Sequence, residues 1–275
     1  MKKYRYADLT WPEIREYSKQ NRVAIFPIGM IEDHGLHLPV DSDARAIEEI
    51  CDRVGRRIPD DVVVIPTLPY GFSPHHMDFP GPLSIRGTLL TEVVLDVCRS
   101  LIHHGFQKIA LVNNHGSNGC FLEGAARMVV VEHPDSQCAK VDWWTLNEFK
   151  EAFAKVRESE APGGVSHACE IETSLYLYFR PEMVDMTKAV KDISFPKSQH
   201  FWFDMVGLGP GGGGKDSSVF MMEYWSTLSK TGVMGDATKG TVEKGKIIMD
   251  SIVDGIVNVV RELRDRPIRQ RIDHH

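Results

Sequence analysis

The feature that most constrains this chain is a repeated alternation of short apolar runs with longer amphipathic stretches. The run Val23–Ile28 ends at Gly29, and after a polar stretch beginning near Asp33 comes the helical pattern ARAIEEICDRVGRRI. Val62–Pro66 follows, then the amphipathic LLTEVVLDVCRSLIHHG ending on Gly105, the strand-like KIALVNN and a helix from about Asn118 to Val131. The strand-like AKVDWW and the polar helix NEFKEAFAKVR continue the series. Such alternation predicts an α/β fold, a mostly parallel central sheet with helices on both faces joined by right-handed crossovers. In sheets of this kind the carboxyl ends of the strands carry the site. The last third adds the helical EIETSLYLYF and a closing amphipathic helix from roughly Lys239 to Leu263. Between them lies the glycine-rich Gly209–Gly214, a mobile lid, an interface loop or an ordinary surface loop. With 275 residues and 42% hydrophobic content, residues 1–275 suffice for one large domain.

Composition narrows the function. The net charge is -6 and the basic residues are dispersed, so no nucleic-acid partner is expected. No stretch approaches eighteen uninterrupted apolar residues and no apolar segment follows the two N-terminal lysines, so no membrane partner and a cytoplasmic location are expected. Cys51, Cys98, Cys120, Cys138 and Cys169 form an odd set without CxxC spacing and read as reduced thiols, with Cys169 singled out by its neighbours. The terminal His274 and His275 carry no functional weight.

The densest polar cluster, EDHGLHLPVDSD, follows the first strand. It gathers Glu32, His34, His37, Asp41 and Asp43, and its oxygen and nitrogen donors suit zinc, manganese or ferrous iron. Glu32 and His34, two apart on extended chain, point the same way and can reach adjacent ions, with Asp43 able to give one oxygen to each. A solvated acidic loop is the competing interpretation for this segment taken alone. His115, in the turn after KIALVNN, stands at another strand end where a further ligand is needed. In SHACEIETS, His167, Glu170 and Glu172 gather at a helix start, where a carboxylate can be a ligand, a general base or a cap.

The strings PIGMIEDHGLHLPVDSD, YGFSPHHMDFPGPLSI, NNHGSNG, SHACEIETS and TGVMGDAT together resemble the creatininase (creatinine amidohydrolase) family. The resemblance implies a three-layer αβα sandwich with a binuclear centre, two divalent ions per subunit, in a homo-oligomer, usually a hexamer. It implies that Glu32 and His115 hold one ion, His34 the other, and that Asp43 bridges both. Enzymes acting on creatinine have a His-Tyr-Glu arrangement where this chain has His115, Gly116 and Ser117. The missing carboxylate must therefore come from elsewhere. Glu170 is the expected ligand, with Glu172 the alternative ligand or else a catalytic or supporting carboxylate.

His167 is the expected acid/base, since imidazole titrates in the useful range; orienting Glu170 is its alternative role. Ser73 and His76, with His75, follow the second strand and are expected at the pocket. Of Trp143 and Trp144, one is a candidate substrate-binding pocket wall, although core packing is the commoner role for such aromatics. His37 is expected to support the loop, and His103 and His104 to meet helix-end carbonyls. Arg45 or Lys215 is a candidate contact for an anionic substrate group. The expected function is hydrolysis of a carbon-nitrogen bond in a small cyclic amide, amidine or formamide. Carbon-carbon cleavage of a cyclic diketone such as 3-dehydro-scyllo-inosose is one alternative, and a non-catalytic metal-dependent binding protein is the other.

Overall fold

The structure is a computed structural model, and residues 2–206 and 219–275 are described. Gly209–Gly214 and Lys215 lie outside these residues. The elements run α1 (Trp11–Ser18), β1 (Val23–Ile28), α2 (Ser42–Arg57), β2 (Val62–Val64), α3 (Gly87–His103), β3 (Lys108–Asn113), α4 (Gly119–Glu132), β4 (Gln137–Asp142) and α5 (Asn147–Ala154). Then come β5 (Val165–His167), α6 (Glu170–Phe179), β6 (Lys191–Asp192), α7 (Trp225–Leu228), β7 (Met234–Asp236) and α8 (Val242–Asp265).

The central sheet has the order β2-β1-β3-β4 with every pairing parallel. Side chains alternate across a strand, and here the alternation separates two cores. Val23, Ile25, Val64, Val112 and Val141 pack with Ile50 and Val54 of α2, Phe149 and Phe153 of α5, and Ile252 and Ile256 of α8. Ala24, Phe26, Val63, Ile109 and Leu111 pack on the other face with Leu90 and Val94 of α3 and Leu122 and Val129 of α4. The expected αβα layering results. No described helix is long and apolar enough to cross a membrane.

A second, antiparallel sheet of order β5-β7-β6 was not expected. Its strands are two or three residues long, too short to show any periodicity. It matters because β5 ends in His167 and β7 follows the strap that carries Trp225.

Two close approaches place the site. Ile28 and Asn113 are register partners, so the loops after β1 and β3 leave the sheet side by side. A Cβ on Gly29 would lie 2.6 Å from Ala44 Cα, so only glycine lets the first turn of α2 rest on the end of β1 and bring Asp43 to those loops. At the opposite edge of the site, α8 packs on α6, and a Cβ on Gly245 would collide with the Ser174 carbonyl oxygen. Gly245→Ala is expected to force the two helices apart and cost about 1–3 kcal/mol, read as a lower urea midpoint with an unchanged slope. An unchanged or higher midpoint, as helix propensity alone predicts, would contradict this packing.

Candidate metal centre

Glu32, Asp43 and His115 converge at the carboxyl ends of β1 and β3. His115 Nδ1 lies 3.1 Å from Glu32 Oε1 and 3.4 Å from Asp43 Oδ2. His34 Nε2 lies 3.5 Å from Asp43 Oδ1 and 3.8 Å from Glu172 Oε1. Asp43 thus presents one oxygen to each histidine. His167 Nδ1 is 3.6 Å from Glu32 Oε1, and His76 Nε2 is 3.9 Å from Glu32 Oε2. The trios Glu32–Asp43–His115, His34–His167–Glu172 and Glu32–His76–His167 each bring three donor atoms within 4.8 Å of one another.

Four imidazoles are held from behind. His34 Nδ1 faces Glu32 O at 3.3 Å, His115 Nε2 faces Phe72 O at 3.1 Å, and His167 Nε2 faces Asp33 O at 2.6 Å. A carbonyl can only accept, so each of these nitrogens carries the proton and donates it. His76 Nδ1 donates instead to the Asp33 carboxylate at 2.6 Å. In every case the opposite ring nitrogen faces the carboxylate cluster, the orientation that metal-bound histidines adopt when their second nitrogen is hydrogen-bonded.

The carboxylates are fixed in the same way. Ser73 Oγ donates to Glu32 Oε2 at 2.5 Å. Asn114 Nδ2 donates to the Asp43 carbonyl at 2.9 Å, and Asn114 Oδ1 accepts from Trp143 Nε1 at 2.5 Å. Asn113 braces the His115 turn, accepting from His115 N at 3.1 Å while its amide donates to His115 O and Asp142 Oδ1.

Charge dominates the electrostatics. Burial opposes a proton on His115, but Glu32 and Asp43 outweigh it and hold the ring up at about 10. Burial likewise opposes charge on His34, and Asp43 and Glu172 override it, raising that ring well above the ordinary imidazole range. Burial would raise the Glu32 carboxyl, yet His115 and His76 keep it well below the usual range. His167 goes the other way, pushed well down by burial and by His34 and His76. His37 and His75 are lowered to about 4, first by burial and then by the neighbouring His34 and His76 respectively.

The donor set fits divalent ions. His34 Nε2 and Asp43 Oδ2 are buried and make no hydrogen bond, although buried polar atoms are ordinarily satisfied. Donor separations of 3.1–3.8 Å around them suit ligands about 2 Å from a shared ion. All the donors are imidazole or carboxylate, a set suited to zinc or manganese.

The expected residues divide. Ser73 and His76 stand at the cluster, and Glu172 stands beside His34 while its other oxygen caps α6 at Cys169 N, 3.2 Å away. Glu170 does not stand there. Its fully buried carboxylate is paired with Lys244 Nζ at 2.5 Å and accepts from Glu158 N and Ser159 N. Residues two apart on a helix face different directions, so α6 sends Glu170 to Lys244 and Glu172 to His34. Trp143 is not a pocket wall: it is buried in the core against Phe149 and reaches the site only through Asn114. Trp144 also packs against that core, edge-on to Trp143. Cys169 is buried, with its thiol raised well above the ordinary range by burial.

Sequence reading missed Asp33 and Trp225. The latter stacks on His76 at 4.4 Å between ring centroids and meets His167 edge-on at 5.1 Å. No pattern marks Trp225, which follows the undescribed stretch by several residues. Asp33 did have a signal, since it alternates with Glu32 and His34 on extended chain. His37 Nε2 pairs with Thr173 Oγ1 at 2.8 Å, tying the first loop to α6.

The family model for creatininase, described as creatinine amidohydrolase, matches residues 7–260. The chain is 27% identical over 267 residues to a creatinine amidohydrolase of Pseudomonas putida, covering 93% of this chain and 95% of that one. It is 24% identical to a 3-dehydro-scyllo-inosose hydrolase of Thermotoga maritima, covering 95% and 84%. It is 27% identical to a mycofactocin precursor peptide peptidase of Mycobacterium ulcerans, covering 90% and 84%. Among solved structures, a manganese creatininase superimposes with a TM-score of 0.79 at 26% identity, covering 96% of this chain and all of that one. A mutant creatininase of zinc-zinc type gives 0.78 at 25% identity, covering 97% and 100%.

Two tests follow from this geometry. Glu172→Gln is expected to lower bound zinc, measured by elemental analysis, without unfolding the chain. Glu170→Gln should keep the zinc but lose about 1–3 kcal/mol of stability, because Lys244 loses its buried charged partner and keeps Glu158 and the Lys239 carbonyl. The reverse pattern would restore Glu170 as the ligand. The second test concerns pH. A histidine whose folded value is raised stabilises the fold below its unfolded value near 6.5 and loses that contribution as pH rises through the folded value. Metal-free protein should therefore melt at lower temperature as pH climbs from about 6.5 to about 10, and added zinc should offset the loss. A melting temperature that rises over this interval would contradict the charge pairing of His115.

Proposed function

The chain belongs to the creatininase family, and on that premise we propose a hydrolase with two adjacent divalent-cation sites, cleaving a carbon-nitrogen bond in a small cyclic amide, amidine or formamide. The observation that carries this reading is Asp43 set between His115 and His34, one oxygen toward each. Glu32, Asp43 and His115 would hold one ion, and His34, Asp43 and Glu172 would hold the other. Bound there, divalent ions supply Lewis acidity, making water acidic enough to attack near neutral pH and polarising the carbonyl under attack.

The chain's own residues supply the rest. His167 presents Nδ1 to the cluster with its far nitrogen tied to Asp33 O, so its lone pair accepts the proton released by the attacking water. Addition of the water oxygen to the carbonyl carbon gives a tetrahedral adduct, and its carbon-nitrogen bond breaks as His167 returns the proton to the leaving nitrogen. Protonation of that nitrogen is what an amide needs, since an unprotonated amide anion is a very poor leaving group. His76 and Ser73 flank Glu32 and keep its carboxylate oriented. Trp225, mostly buried and stacked on His76, excludes water from that side.

The reading is tested by incubating zinc- or manganese-loaded protein with cyclic amides, formamides, cyclic diketones and short peptides. Turnover of the amide or formamide class is expected, and Asp43→Ala should abolish it together with binding of at least one of the two ions. Turnover confined to diketones or to peptides would overturn the proposed substrate class. Full metal occupancy with no turnover of any class would favour a binding protein.

A further inference from the structure

Of the four imidazoles around the cluster, three are oriented by main-chain carbonyls, which no substitution removes: His34 by Glu32 O, His115 by Phe72 O and His167 by Asp33 O. His76 alone depends on a side chain, the Asp33 carboxylate. Asp33 lies between two metal-ligand candidates in sequence, yet its own side chain faces away from them. Residues 32 and 34 point one way along the extended segment and residue 33 the other, which sends its Oδ1 to His76 Nδ1 at 2.6 Å. Its Oδ2 is buried and makes no hydrogen bond.

We propose that Asp33 is a positioning residue that fixes the orientation and tautomer of His76, so that Nε2 of this second imidazole faces the reaction zone beside Nδ1 of His167. The inference rests on the hydrolytic reading above. Geometry carries it. A carboxylate accepts and cannot donate, so Nδ1 of His76 carries a proton directed at Asp33, and Nε2 is the nitrogen turned to the cluster, 3.9 Å from Glu32 Oε2. His167 is set the opposite way round, Nε2 donating and Nδ1 turned to the cluster, through the main-chain oxygen of the same residue. The two rings lie 4.7 Å apart, edge to face, with Trp225 stacked on His76. One residue thus sets both rings, by its side chain on one side and its backbone on the other. Glycine at 232 leaves room for this carboxylate: a Cβ there would come within 2.5 Å of Oδ2 and push it from its place beside His76.

Because only one of the two rings relies on the side chain, the other is an internal control. Two-bond proton–nitrogen correlation spectra of nitrogen-15-labelled protein, with and without zinc, report which ring nitrogen carries the proton. Wild type is expected to show Nδ1–H for His76 and Nε2–H for His167. In Asp33→Asn and Asp33→Ala, the ratio of Nδ1–H to Nε2–H for His76 should fall at least tenfold, while His167 is unchanged and zinc content is retained. Persistence of Nδ1–H on His76 in both variants would overturn the proposal. So would a joint change of His76 and His167, which a general rearrangement would produce. The tautomer readout does not require zinc, so it decides the role of Asp33 even if the parallel zinc titration were to contradict the metal centre.

Discussion

Two carboxylates are buried side by side at the ends of adjacent parallel strands, Glu32 at 1% and Asp43 at 4% exposure. Removing such charges from water costs several kcal/mol per ion unless opposite charge and hydrogen bonds are provided. In the metal-free chain that charge comes from His115 and His34, both held protonated beyond the ordinary imidazole range. Much of the surrounding structure serves this one demand. Gly29 admits the helix that carries Asp43, Asn114 anchors that helix, and Ser73 satisfies the second oxygen of Glu32. Protons on His34 and His115 and divalent cations compete for the same lone pairs, so a centre of this kind binds metal more tightly as pH rises.

Contacts on the α6 side of that cluster keep its far side in place. Glu170, buried with Lys244, pins the start of α6, and this is the turn that carries Glu172 toward His34. Thr173 on the next position meets His37 from the first loop, so α6 and the metal loop are joined on both sides of Glu172. The small antiparallel sheet adds His167 at the end of β5 and, through the segment preceding β7, the indole of Trp225. The two sheets thus divide the work: the parallel one supplies the carboxylates and His115, and the antiparallel one closes the site with imidazole and aromatic surface.

The parallel sheet was readable from the chain because its strands and helices are long enough to show their periods, and all four central strands fall within a few residues of the apolar runs that announce them. The approach of Glu32, His34 and His115 was legible for a related reason: they lie in the loops that follow β1 and β3, and strand ends on one edge of a parallel sheet must meet, whereas Asp43 joins them from the first turn of α2 over Gly29. The choice between Glu170 and Glu172 was not readable. It depends on where α6 begins and which side of its first turn faces His34, a matter of one residue and a hundred degrees. For Trp143 both directions were open, since an indole at a strand end can turn toward the cavity or the core, and here Phe149 and Asn114 hold it in the core. The β5–β7–β6 sheet left no trace because two- and three-residue strands have no pattern.

The central claim is that residues distant in sequence hold two neighbouring cations through a shared Asp43. Anomalous diffraction from crystals of zinc-loaded protein, recorded on both sides of the zinc edge, tests it most directly. Two peaks are predicted about 3.5–4 Å apart, one against Glu32, Asp43 and His115 and the other against His34, Asp43 and Glu172. A single peak, or a pair of peaks neither of which touches Asp43, would contradict it.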